Sequence, residues 1–256
     1  MLVSTRECMP LTVFGGIKAG MDAMGIDQVE LELFHDNTLY SLTAGDSRLP
    51  VGCEAEIEAY AQHLADNHIK CCAILLHNNF AADDIDAEVD WVSWAVRVTA
   101  MLGANAIRID AIMSKEMEWS LEQRVQRFAD CMKRVLDATS DLEVGLGIEN
   151  HGVQGNDPEF LDLVLGRVGS PRVGLNLDMA NFYWRGYPLN RVHEIIRHFA
   201  PRVKHTHAKN INYPNFRSYV GLRGVFTLRS AFHPPVFPLH FVQFQVRRQR
   251  QCKPVE

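Results

Sequence analysis

The sequence predicts an α/β fold, a (β/α)8 barrel with an incomplete or irregular first strand and an atypical last unit. Two observations carry that reading. From residue 27 onward the hydrophobic pattern switches between period 2 and period 3.6, giving six strands and five intervening helices. Two of those strands set branched apolar residues on one face and small or polar residues on the other, as a closed barrel requires. The chain has no glycine-rich phosphate loop of the dinucleotide or P-loop type, which disfavours an open nucleotide-binding sheet.

The elements follow in order. Only MLVST precedes a helix around residues 11–24, so little room is left for a first strand. Residues 27–34 (DQVELELF) alternate Val29, Leu31 and Leu33 against Gln28, Glu30 and Glu32, whose glutamates look inward. Residues 54–68 have helical spacing through Ile57, Tyr60, Ala61 and Leu64, and 69–77 (IKCCAILLH) read as a buried strand. A helix over 87–103 ends at Gly103, a C-cap residue. The strand 104–110 turns Arg108 and Asp110 inward, as a buried ion pair or as substrate contacts. The helix 120–139 takes Ser120 as N-cap, and the helix 157–168 takes Asp157 as N-cap with Pro158 first. Strands at 143–150, 172–179 and 202–208 and a helix at 189–200 complete the pattern.

Bulk properties narrow the class. A chain of 256 residues with 47% hydrophobic and 22% charged residues can bury a full core and behaves as a soluble globular protein. No apolar run approaches the ~20 residues that span a bilayer, so no membrane partner is expected. The first residues lack the apolar core of a signal peptide, which predicts a cytoplasmic location. Six cysteines without CxxC spacing read as free thiols in a reducing compartment.

The charge is polarised. Residues 1–200 hold 30 acids against 16 Lys and Arg, a balance of −14, whereas residues 201–256 hold 1 against 10, a balance of +9. The acidic body argues against a nucleic-acid partner. No Asp or Glu lies between Glu194 and Glu256, where a segment of average composition would carry about 7. Residues 1–212 therefore form the barrel body, and 213–256 an atypical acid-free segment rather than a second domain. A frameshifted C-terminus is one hypothesis for it, and failure to find a normal ending in another reading frame of the gene would count against that.

Three residues end successive strands at equivalent places: Glu149, Asp178 and His207. Their side chains would converge at the C-terminal mouth of the barrel, where barrel enzymes build their sites. Two carboxylates and an imidazole suit one divalent ion such as Mn, Mg, Co or Zn. His205 points the same way one layer deeper, as a lining residue or as support for His207. His77 lies at the mouth end of the third strand. Asn150 and His151, directly after Glu149, are substrate contacts or simple loop polarity, and Phe182, Tyr183 and Trp184 could wall a ligand pocket.

The motifs GIENHG, SPRVGLNLDMANF and VKHTHAKN resemble the fifth, sixth and seventh strand motifs of the xylose isomerase-like TIM barrel superfamily, and MGIDQVELEL is similar to its second. The likeness covers roughly residues 11–212. It implies a metal-dependent isomerase or epimerase acting on a sugar or sugar phosphate, with proton transfer next to a carbonyl. It also implies Glu149 as metal ligand and catalytic acid/base, Asp178 and His207 as ligands, and Lys209 as a contact to a substrate anion or hydroxyl. His77, Asn150, His151 and Asn181 are the remaining substrate-binding candidates; Asn181 stands where ketose epimerases often carry a substrate-binding histidine. The superfamily's eighth-strand glutamate, a fourth ligand, has no counterpart in the acid-free segment. A non-catalytic barrel and a multinuclear abasic-site endonuclease are the alternatives, and a homo-oligomer is compatible with either.

Overall fold

The structure, a computed structural model, describes residues 2–209 and 243–245. The chain forms β1 (Leu2–Arg6), α1 (Cys8–Phe14), α2 (Ile17–Met24), β2 (Gln28–Glu32), β3 (Thr38–Tyr40), β4 (Arg48–Pro50), α3 (Glu54–Asp66) and β5 (Lys70–Leu75). There follow α4 (Ile85–Met101), β6 (Ala106–Ile109), α5 (Leu121–Ala138), β7 (Gly145–Glu149), α6 (Pro158–Val168) and β8 (Val173–Asp178). The last elements are α7 (Asn181–Trp184), α8 (Leu189–Phe199), β9 (Val203–His207) and β10 (Gln243–Gln245).

The main sheet runs β10-β1-β2-β5-β6-β7-β8-β9. Its seven strands from β1 to β9 pair in parallel, each reached through a helix-bearing crossover, which is the architecture of an α/β TIM barrel. All six strands read from residue 27 are present, as are the five long helices between them. The first strand does form, although only Thr5 and Arg6 join β2. Its other half pairs antiparallel with β10, Leu2 opposite Gln245, so the closing unit departs from the all-parallel plan. The remainder of 210–256 lies outside the described residues, and with it VGLRGVFTL at 220–228, whose apolar content could supply a strand.

Two local readings change. The helix read at 11–24 is a pair, interrupted at Gly15, where φ is +72° and a side chain would be strained. The hairpin β3–β4 leaves no mark in the sequence pattern, because strands of three residues are too short for alternation to register.

Cap chemistry fixes the helices as the sequence suggests. Ser120 and Gln123 form a reciprocal capping box on α5, and Asp157 accepts from the Glu159 amide ahead of Pro158 on α6. The main core lies between helices and sheet. Val29, Leu31, Ile74, Ile107, Leu146, Ile148 and Leu175 are fully buried there with Phe128 and Phe160, whose rings meet edge to face at 5.7 Å. Each such side chain contributes roughly 1.5–3 kcal/mol. Inside the barrel the strands approach so closely that Gly174 has no substitute: a Cβ there would stand 1.7 Å from the Arg202 carbonyl oxygen.

Candidate metal centre

Glu149, Asp178 and His207 are the last residues of β7, β8 and β9, and the sheet register brings them abreast. Glu149 pairs with Asn176 across β7–β8, and Asp178 with His207 across β8–β9. The second pairing depends on a register shift between Leu175 and Asn176, which gives β9 one extra residue at Lys204. The ligating atoms of the three residues all lie within 4.8 Å of one another, and all three side chains are buried.

Each member has a fixed partner. His207 Nδ1 is 2.9 Å from Glu149 Oε1, while its Nε2 is 3.1 Å from Glu30 Oε2. Arg108 donates Nε to Glu149 Oε2 at 2.6 Å, reinforces it with Nη2, and reaches Asp110 Oδ2 with Nη1 at 3.1 Å. Lys209 Nζ lies 2.5 Å from Asp178 Oδ2 and donates to Asn181 Oδ1 at 3.3 Å, beside the half-exposed Trp184 ring.

Burial alone would raise the Glu149 carboxyl, but the Arg108 guanidinium and His207 outweigh it and hold it at about 2. Burial would likewise lower His207, yet the carboxylates of Glu30 and Glu149 raise it to about 10. Glu30, also buried, is held well below the carboxylate range by His207 and His205.

The other candidates fall into two groups around this centre. On the Asp178 side stand Lys209 and the buried Asn181. On the Glu149 side, Asp110 lies between two half-exposed histidines, His77 Nδ1 at 3.5 Å and His151 Nδ1 at 3.8 Å. His77 Nε2 also lies 3.7 Å from Glu32, and hydrogen bonding to Asp110 and Glu32 raises His77 to about 9 despite burial. Asn150 turns inward: its Nδ2 donates to the Asp178 carbonyl at 2.9 Å, and its Oδ1 accepts from the Asp178 amide at 2.7 Å. Phe182 is in the core and Tyr183 packs against it, so of the aromatic run Trp184 alone is exposed at the mouth. His205 is 1% exposed and meets Glu30 beneath His207.

Sequence reasoning did not join Arg108 to Glu149, or Glu30 to His207. The signal was present in the period-2 alternation, which had already turned Arg108 and Glu30 inward. What strand pattern cannot supply is which inward residues meet across a barrel.

The donor set suits a divalent ion. Two carboxylates and one imidazole match Mn, Mg, Co or Zn, and the acceptor Asn176 Oδ1, whose Nδ2 lies 3.3 Å from His207 Nδ1, is buried without a hydrogen-bond partner among the described residues. Against that, Arg108 and Lys209 already neutralise Glu149 and Asp178. A cleft of about 630 Å³ opens at the other end of the barrel, beside Gln28, Lys70 and Gly103, and among the described residues no converging ligand set lies there.

The fold is that of an α/β TIM barrel, with two carboxylates and a histidine that could hold a metal gathered at successive strand ends. Residues 21–233 match the family described as xylose isomerase-like TIM barrel, and the chain belongs to that family. Similar solved structures include a D-tagatose 3-epimerase-like protein at TM-score 0.60 and 14% identity, covering 83% of this chain and 77% of that one. An IOLI protein with a binding zinc atom aligns at TM-score 0.59 and 15% identity over 84% and 75%. A D-psicose 3-epimerase in the presence of D-fructose aligns at 0.58 and 17% over 82% and 73%. No curated protein matches the sequence.

Proposed function

We propose that the protein is a divalent-metal-dependent isomerase or epimerase that moves a proton next to the carbonyl of a sugar or sugar phosphate. The convergence of Glu149, Asp178 and His207 at the barrel mouth carries this reading. Likeness in fold to sugar epimerases and to a zinc-binding barrel supports it. An ion held by these residues would supply Lewis-acid polarisation of the substrate carbonyl. Glu149 is assigned as ligand and proton-transfer carboxylate, kept ionised by Arg108. Lys209, Asn181, His77 and His151 face the mouth as donors to substrate oxygens, whereas Asn150 braces β7 to the Asp178 backbone.

A second reading, a barrel that has lost catalysis, is favoured by the lack of any Asp or Glu between Glu194 and Glu256. Exchange of substrate protons for deuterium, followed by NMR on a panel of ketoses and their phosphates with Mn²⁺, separates the two. Exchange that disappears on chelation and in Asp178→Asn supports the enzyme. Wild type and Asp178→Asn equally inactive with metal bound would falsify it. The substrate is a small molecule, and no nucleic acid or membrane enters the scheme. Among the described residues no helix is long and apolar enough to cross a membrane.

A further inference from the structure

A second set of ligating atoms lies one layer below the mouth. Glu30 from β2 and His205 and His207 from β9 bring a carboxylate and two imidazoles to within 4.8 Å of one another. Glu30 Oε1 is 3.4 Å from His205 Nε2 and 3.2 Å from His207 Nε2, and Oε2 is 3.1 Å from His207 Nε2. The His207 contacts are ordinary hydrogen-bond lengths. A charge-assisted N–H···O contact closes to about 2.7–2.9 Å, so the 3.4 Å between Glu30 Oε1 and His205 Nε2 is long for one. That spacing fits a different geometry as well. Donors bound at about 2.0–2.1 Å around a tetrahedral ion stand roughly 3.3–3.4 Å apart.

The surroundings point the same way. His205 and His207 are two residues apart on one strand and share its inner face, with rings 5.5 Å apart and nearly perpendicular. The side chains of Glu30 and His205 are 0% exposed and that of His207 is 8% exposed. A carboxylate carried that deep must be neutralised where it sits, by protons on the imidazoles or by a cation.

We infer that Glu30, His205 and His207 form a second divalent-cation site inside the barrel, of zinc type, sharing the His207 imidazole with the mouth triad. Two nitrogens and one oxygen suit Zn²⁺, whereas Mg²⁺ takes oxygen ligands and suits the carboxylate-rich mouth. An ion entering the inner site takes the place of imidazole protons on the nitrogens facing Glu30 and releases them to solvent. His207 can serve both sites because Nε2 faces Glu30 while Nδ1 faces Glu149. The inner site does not depend on the proposed activity.

The test is X-ray absorption on the full chain, stripped by chelator and reloaded with one equivalent of Zn²⁺, together with zinc isotherms. Two imidazoles per zinc are expected in the wild type, because the mouth triad offers only one. Glu30→Gln and His205→Asn, each checked for native circular dichroism, are expected to weaken zinc binding at least tenfold, while Asp178→Asn leaves the two-imidazole zinc in place. One imidazole per zinc in the wild type overturns the inference without reference to any variant, as do isotherms of folded Glu30→Gln and His205→Asn that superpose on the wild type. Loss of Mn²⁺ binding in Asp178→Asn reports on the mouth alone and keeps the two readings apart.

Discussion

His207 Nδ1 stands 2.9 Å from Glu149 Oε1, joining the ends of β9 and β7 across the intervening strand β8. The contact holds one donor of a would-be ligand against another, and each is fixed from behind, Glu149 by Arg108 and His207 by Glu30. The centre is therefore organised by its own ion pairs before any ligand arrives. That makes its supports as informative to mutate as its ligands.

Arg108 is the first of these. It is buried and gives two nitrogens to one Glu149 oxygen, so Arg108→Met leaves Glu149 only the His207 imidazole, which Glu30 shares, as a counter-charge. The expected cost is about 3–5 kcal/mol in urea unfolding. Glu149→Gln in the same background should recover much of it, because the under-compensated charge is gone. Additive losses in the double mutant would contradict the pairing.

Lys209 sits on Asp178 Oδ2, an atom the metal reading assigns to the ion. An ammonium there repels a divalent cation, so Lys209→Met should tighten Mn²⁺ binding about tenfold, or ~1.4 kcal/mol. The same change should lower kcat/KM by removing a donor to substrate. Calorimetric titration reads the first effect and the exchange assay the second. Weaker metal binding in the variant would show that Lys209 does not compete for Asp178.

Asn150 separates bracing from substrate contact. Both ends of its amide are spent on the Asp178 backbone, so Asn150→Ala removes two buried hydrogen bonds and should cost about 2–4 kcal/mol. A variant of unchanged Tm with a raised KM would instead mark a substrate contact.

The sequence made the strand ends legible because a parallel barrel strand writes its two faces in alternate residues. Val144, Leu146 and Ile148 against Gly145, Gly147 and Glu149 place Glu149 inside before any coordinates exist. Asp178 and His207 follow by the same reasoning, and so do the caps at Ser120 and Asp157, whose chemistry is local. The pairing of Arg108 with Glu149 spans 41 residues, and that of Glu30 with His207 spans 177. Such contacts depend on barrel curvature and on the register shift opposite Lys204, neither of which leaves a periodic trace. The motif marks Lys209 as a substrate contact, but its hold on Asp178 depends on where the chain turns after β9.

His77 predicts a pH dependence at the mouth. Its folded value is raised to about 9 from an ordinary 6.5, by Asp110 and Glu32. The sign follows from linkage: the stabilisation is fully present below 6.5 and is lost as pH rises through 9. The ring is half-exposed, so solvent screening limits the effect to about 1 kcal/mol. His77→Gln should flatten urea-unfolding stability between pH 6.5 and 9, and an unchanged slope would mean that His77 is not held by those carboxylates.

Glu7 should produce a larger effect in a different window. It follows β1, is 0% exposed, and neither carboxyl oxygen has a hydrogen-bond partner among the described residues. Burial raises it from 4.5 to about 8, although the neighbouring Arg6 pulls the other way. The unfolded chain therefore ionises first. Wild-type stability should fall as pH rises from 4.5 to 8 and level off above, by an amount on the order of 4 kcal/mol. Glu7→Gln keeps the shape of the protonated group and removes the titration, so it should match the wild type at pH 4.5 and exceed it by several kcal/mol at pH 8.5. Chemical denaturation at those two pH values decides the matter, since a variant that gains nothing at pH 8.5 would show that Glu7 is ionised and paired in the folded protein.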